Sequence, residues 1–289
     1  SSSTAVKGQI SSDTVWEASK SPYVVTGAVL VSEGVKLTVE AGVEVRFSSG
    51  TGLQVFGELV AKGTSSSGIT FTSVQDSKEA GDWGQIVFYD SSVDASYDEN
   101  GDYVSGSILE YCTVEYGGGI LLKLGNPFVN QSTIRYHSSS GIKMDSWDTS
   151  NSGSTLKITN NVIGNNISSD AGGGLYLYGY GVVYVTNNTI IDNISSGGGG
   201  IRVSGGGLKM ISGNRIENNE TSFEYSIGDG GSGQRYLSGQ GGGIESRTDA
   251  QIVNNVIKGN RSDRGGGIYA ASGEIKGNTI ISNYGREGG

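Results

Sequence analysis

One short pattern recurs along the second half of the chain and limits its fold more than any other feature. Five segments align: Thr159-Asn160-Asn161-Val162-Ile163-Gly164-Asn165-Asn166, Thr186-Asn187-Asn188-Thr189-Ile190-Ile191-Asp192-Asn193, Ser212-Gly213-Asn214-Arg215-Ile216-Glu217-Asn218-Asn219, Val253-Asn254-Asn255-Val256-Ile257-Lys258-Gly259-Asn260 and Lys276-Gly277-Asn278-Thr279-Ile280-Ile281-Ser282-Asn283. Each reads as a short strand entered and left through asparagine. Four are followed by a glycine run and an aliphatic residue, at Gly174-Leu175, Gly200-Ile201, Gly243-Ile244 and Gly267-Ile268. Those aliphatics are 26, 43 and 24 residues apart. A degenerate form continues upstream, where Ile120 and Ile142 follow Gly119 and Gly141, 22 apart. A period of 20 to 30 residues that holds period-two strands and no helical pattern fits one turn of a β-helix. One such turn cannot bury its apolar face alone, so turns must stack. Asparagine tolerates left-handed corners and can bond along the stack, and glycine permits tight turns. The expected fold is all-β: a right-handed parallel β-helix solenoid of about eight coils with an inserted hairpin and an inserted loop.

Composition agrees. The 289 residues include 50 glycines but only two prolines, Pro22 and Pro127, unlike a disordered linker. Hydrophobic residues make up 35%, which suits a thin continuous core. The net charge of −9 with no Lys/Arg cluster argues against nucleic-acid binding. No apolar run is long enough to form a transmembrane segment. The lone Cys112 reads as a small buried hydrophobe, since a nucleophile would need a nearby base and His137 is the only histidine.

Organisation follows from the repeat. We expect a single β-helix domain over 1–289, with a cap and first coil over 1–33, irregular coils over 34–150 and regular Asn/Gly coils over 151–289. A hairpin is expected over 89–107, signalled by Asn100-Gly101. Asp98, Asn100 and Asp102 there resemble the start of a calcium loop, so calcium is a candidate ligand. The match fails at Tyr103, where glycine should follow, and at Leu109, where the distal glutamate should sit. A loop is expected over 220–240. The chain stops at Gly285-Arg286-Glu287-Gly288-Gly289, where earlier coils run on into Gly-Ile, so a fragment of a longer protein is expected.

The first half carries a specific resemblance. Leu37-Thr38-Val39-Glu40-Ala41-Gly42-Val43, Gly63-Thr64, Ile69-Thr70-Phe71-Thr72-Ser73 and Gly81-Asp82-Trp83-Gly84 resemble the opening coils of many bacterial secreted β-helix proteins. The Gly-Gly-Gly-Ile and Asn coils of 160–283 resemble repeats of pectate-lyase-like proteins and polymorphic-outer-membrane-type passengers. The resemblance implies the fold and a secreted or cell-surface location in a bacterium. It implies activity only weakly, because function lives in sites grafted on folds.

Strand alternation assigns outward positions. After each glycine run the first residue points inward and the next outward. The outward column then reads Gln54, Val87, Leu121, Lys143, Tyr176, Arg202, Glu245, Tyr269, and two residues on Lys123, Asp145, Tyr178, Ser204, Arg247. Lys143, Asp145, Tyr176, Tyr178, Arg202, Glu245, Arg247 and Tyr269 form the candidate site, a strip in which rings and charged groups could hold a polysaccharide. The leading reading is a non-catalytic secreted or surface module, monomeric as an isolated domain, that binds a polysaccharide or cell-surface glycan or mediates adhesion. Two alternatives stand beside it. One is a polysaccharide lyase acting on uronates, with Lys143, Arg202 or Arg247 as base beside Asp145 or Glu245. The other is a structural stalk. The Asn-Thr-Asp, Asp-Asp, Gly-His-Gly and Arg-Ile-Lys set of polygalacturonases and the Asp-Pro-His of alginate epimerases are absent. Six Asn-X-Ser/Thr sequons, at Asn130, Asn166, Asn187, Asn193, Asn219 and Asn260, read as structural corners.

Overall fold

A computed structural model describes residues 2–146, 148, 153–225 and 234–288. Twenty-seven of its strands join one parallel sheet that winds about a single axis. The winding has three faces. Face A contains Leu53–Val55, Ile86–Phe88, Ile120–Leu122, Ile142–Ser146, Leu175–Gly179 and Ile201–Ser204. Face B follows it in each coil, for example at Thr155–Thr159 and Val182–Thr186, and face C follows next, at Val162–Gly164 and Thr189–Ile191.

The register on face A runs Gln9, Leu30, Gln54, Val87, Leu121, Lys143, Tyr176, Arg202, Glu245, Tyr269. That column counts ten rungs, more than the repeats reveal. The early coils escape notice because they lack the asparagine and glycine signature. Strand Thr4–Ile10 pairs in parallel with Tyr23–Val31, so the stack already includes the first described strand.

Inward columns supply the core. On face C it runs Val45, Phe71, Val114, Ile134, Ile163, Ile190, Ile216, Ile257, and all eight are buried. Aromatics widen the early core: Phe47 stacks on Trp83 at 4.1 Å between centroids. Cys112 is buried beside the Ala61 carbonyl, and burial pushes its thiol pKa up.

Each regular Asn/Gly coil turns twice through a residue with left-handed backbone followed by an asparagine, buried in all but the last coil. Between faces B and C the left-handed residues are Asn160, Asn187, Gly213, Asn254 and Gly277. Between faces C and A they include Asn165, Asp192, Asn218 and Gly259. The asparagines that follow form two ladders, Asn161-Asn188-Asn214-Asn255-Asn278 and Asn166-Asn193-Asn219-Asn260-Asn283. In the second ladder, Asn193 Oδ1 accepts from both the backbone N–H and the Nδ2 of Asn166 at 3.1 and 2.9 Å. Asn193 Nδ2 then donates to Asn219 Oδ1 and to the Ile163 carbonyl, each at 3.0 Å. The sequons at Asn166, Asn193, Asn219 and Asn260 are thus buried ladder rungs. The ladders end in different residues. Ser132 donates its N–H to Asn161, and His137 donates its N–H to Asn166.

The last glycine of each run lies against this ladder. A Cβ on Gly200 would come within 2.7 Å of the Gly243 carbonyl and 3.0 Å of the Asn219 amide. Gly200→Ala should therefore cost about 1–3 kcal/mol through overpacking, read as a lowered urea midpoint. An unchanged midpoint would show that the coils can part without penalty.

One polar group breaks the inward pattern. Lys209 takes the place of Val183 on face B and is fully buried. Its Nζ donates to the carbonyls of Gly181 and Gly206. Burial lowers its pKa to about 8.

Both insertions leave the sheet as antiparallel arms. Ser96–Tyr97 pairs with Tyr103–Ser105, the Asp98 N–H bonds the Asp102 carbonyl, and the three-residue loop Glu99-Asn100-Gly101 is closed by the Gly101 N–H on the Asp98 carbonyl. Gly101 has φ +82°, a type I turn with a glycine bulge, not the two-residue Asn-Gly turn. In the region expected as a loop over 220–240, Glu220–Tyr225 pairs with Gln234–Leu237. Residues 226–233 lie outside the described part.

Candidate functional site

The glycine runs anchor face A so firmly that the outward column lies in the expected register. Lys143, Tyr176, Arg202, Glu245 and Tyr269 stand on consecutive rungs. Asp145, Tyr178 and Ser204 align two residues further on. Arg247 and Lys123 sit just past the paired part of their rungs.

The side chains interlock along the axis. Lys143 Nζ donates to Asp170 at 3.0 Å and lies 5.1 Å from the Tyr176 ring centroid. From the next rung Arg202 lies 5.6 Å from the same ring. Tyr176 thus stands as a plate between two cations, each contact contributing about 0.5–1 kcal/mol. Its faces are engaged by those cations, so it offers its edge and hydroxyl rather than the open ring face that the sequence led us to expect. Burial works against the Asp170 carboxylate, but the Lys143 ammonium and the nearby Arg202 outweigh it and hold its pKa below the ordinary value.

The arrangement culminates at Glu245. Glu245 is 1% exposed although it projects from the outer surface, because the flanking turns and two arginines cover it. Arg247 Nε bonds Oε1 at 2.6 Å and Arg202 Nε approaches Oε2 at 3.6 Å. The second approach is too long for a hydrogen bond. Arg202 Nε and Glu245 Oε2 are therefore buried polar atoms without a hydrogen-bond partner. Such atoms cost about 1–3 kcal/mol each until satisfied. They lie beside an open pocket of about 270 Å³ rimmed by Gly197, Gln240, Asp263 and Arg264. Gln240 fixes Arg247 through a 2.8 Å bond. The lining carries cations and carboxylates in near balance, which suits a ligand rich in hydroxyl groups.

Sequence reasoning missed Asp170, Gln240, Asp263 and Arg264. All lie in or beside turns whose lengths vary from coil to coil, where period-two alternation says nothing. The candidate calcium residues are separated from this site on the hairpin arm. Asp98 Oδ1 accepts the N–H groups of Asn100 and Asp102, each at 2.9 Å, so that oxygen shapes the turn. Among the described residues no group of three or more His, Cys, Asp or Glu side chains is placed to hold a metal ion.

Comparison with known families agrees with this architecture over most of the chain. A family model described as a pectate-lyase like beta helix domain matches residues 8–121, and one described as a right handed beta helix region matches residues 150–288. Together the two matches support the pectate-lyase-like β-helix family. No curated protein and no solved structure shows a significant match to it. No helix among the described residues of this β-helix is long and apolar enough to cross a membrane.

Proposed function

We propose that this β-helix is a secreted or cell-surface module that binds polysaccharide along face A, without cleaving it. The supporting observation is the incomplete pairing of Arg202 Nε with Glu245 Oε2 beside an open pocket. A sugar hydroxyl can donate to the carboxylate and accept from a guanidinium, so a small rotation of Arg202 would let one hydroxyl satisfy both. The Tyr176 edge and hydroxyl and the ring of Tyr269 continue the surface on neighbouring rungs, about 4.8 Å apart. That spacing lets a linear polymer meet the same kind of group repeatedly.

Geometry argues for binding over lyase chemistry. A catalytic base must be free to take a proton. Lys143 is paired with Asp170, and Arg202 and Arg247 both face Glu245. Their charges are already engaged.

The test is a glycan array probed with the wild-type chain and with the triple variant Tyr176→Ala/Tyr178→Ala/Arg202→Ala. Wild type should retain specific polysaccharides, and the variant should lose at least tenfold in affinity, about 1.4 kcal/mol or more. Equal retention by the two proteins would overturn the assignment. Release of unsaturated uronate from pectate, alginate or chondroitin, seen as new ultraviolet absorbance, would make it an enzyme instead.

A further inference from the structure

Face B carries a second concavity, remote in character from the strip and formed by the hairpin arm. The arm folds back over the face and leaves a groove of about 1050 Å³. Several contacts pin it there. Tyr97 meets Phe128 edge-on at 5.6 Å, and Tyr103 stacks on the same ring at 5.8 Å. Lys157 Nζ donates to the Gly101 carbonyl at 2.6 Å and sits 4.0 Å from the Tyr97 ring centroid. At the arm's base, Asp94 accepts the Asn126 N–H at 2.7 Å. The groove is therefore preformed and does not depend on a ligand to hold it open.

Its floor is a polar column in register along the axis: Lys62, Glu110, Asn130, Thr159, Thr186. Four steps of about 4.8 Å give a length of about 19 Å. Asn130 donates to Glu110 at 2.7 Å and accepts from Thr159 at 3.0 Å, which fixes the orientation of its amide. Beside this column Tyr184 follows Lys157 and Phe128 on successive rungs. Tyr97 lines the groove, and its hydroxyl is enclosed without a hydrogen-bond partner.

Charge selects the ligand. Asp94, Asp98, Glu99, Asp102 and Glu110 line the groove against Lys62 and Lys157, five negative groups against two positive, a net of −3. Both lysines are engaged: Lys157 as above, and Lys62 with Glu110 at 4.0 Å and the Tyr103 ring at 5.4 Å. Glu99 and Asp102 on the rim are exposed and make no ion pair among the described residues. A uronate chain would be repelled here.

We propose that this groove binds a cationic amino-sugar oligosaccharide of the glucosamine type. Glu99 and Asp102 pair with its ammonium groups, Tyr184 packs against a sugar ring, and the Thr159 and Thr186 row meets hydroxyls. The proposal concerns a different face and a ligand of opposite charge preference from the strip, so each can fail without the other.

Calorimetric titration of the full chain with a glucosamine hexamer tests it. Glu99→Gln/Asp102→Asn should weaken binding at least tenfold, and Tyr184→Ala by a similar factor. The face A triple variant should bind the hexamer as wild type does. An N-acetylglucosamine hexamer should bind at least tenfold more weakly, and added salt should weaken the glucosamine hexamer. Because Glu99 and Asp102 are exposed, their double variant decides the matter even if Tyr184→Ala misfolds. No binding, binding indifferent to the double variant, or equal binding of the acetylated hexamer would overturn the proposal. Equal or tighter binding of a lysine hexapeptide would also overturn it and assign the groove to basic peptides.

Discussion

Replacing Asn193 with leucine is expected to destabilise the protein by about 4 kcal/mol or more. Leucine has similar volume, so the loss is chiefly one of hydrogen bonding. Asn193 makes four ladder bonds through its side chain, two accepted from Asn166 and two donated to Ile163 and Asn219. At about 1 kcal/mol net per bond the direct loss is about 4 kcal/mol. The partners then stay buried and unsatisfied, including the Asn166 N–H and the Ile163 carbonyl, which adds to the cost. Solenoid stability is a sum of repeats and the contacts between neighbours. A broken rung at mid-ladder therefore weakens the coils on both sides. Urea unfolding followed by far-ultraviolet circular dichroism measures the effect. Asn187→Gly serves as the control: Asn187 is exposed with φ +56°, a backbone that glycine adopts freely, so its change should stay within about 1 kcal/mol. A loss below about 1 kcal/mol at Asn193 would show that water or rearranged amides replace the ladder.

The two positions differ by a rule that sequence alone half reveals. Paired residues such as Asn160-Asn161 and Gly213-Asn214 mark each corner, and glycine replaces only the first of the pair. The first residue supplies left-handed backbone and the second the ladder rung. That periodicity, with the glycine runs, is why the regular coils and the register of Lys143 through Tyr269 were legible. Upstream the same corners are built from Tyr111, Gln131, Tyr116 and Tyr136, all at positive φ. Tyrosine is an uncommon choice there, and Tyr116 and Tyr136 stack at 5.1 Å on consecutive coils. No local propensity announces such corners, so the early coils were undercounted. The cover over Glu245 and the fold-back of the hairpin arm were hidden for another reason. Both depend on side chains tens of residues apart, such as Arg202 with Glu245 and Tyr97 with Phe128, and turn lengths between rungs set which of them meet. Lys209 is the clearest exception to alternation: its sequence position demanded an apolar residue, and two corner carbonyls accept its ammonium instead.

At the foot of the second ladder, His137 should make the fold acid-sensitive. His137 is fully buried and fills the rung that asparagine fills in later coils. Nδ1 accepts the Gly117 N–H at 3.1 Å, and Nε2 lies 3.0 Å from the Val114 carbonyl, to which it donates. Those partners require the neutral ring with its proton on Nε2. Protonation would set an Nδ1–H against the Gly117 N–H. Burial is the main cause that lowers the pKa, to about 4 from 6.5. Between those values the unfolded chain binds a proton that the folded chain refuses. The stabilisation is thus complete above pH 6.5 and is lost as pH falls toward 4, up to about 3 kcal/mol in all. His137→Asn should remove that slope. Val114 is the register partner of Ile134, whose carbonyl accepts from the Asn166 amide, so an asparagine at 137 can repeat the later geometry. Its amide does not titrate. Urea midpoints at pH 7 and pH 4.5 should fall further in wild type than in His137→Asn, over a carboxylate background common to both. Parallel falls in the two proteins would mean that the ring is charged without penalty, and that the polar end of the ladder carries no pH dependence.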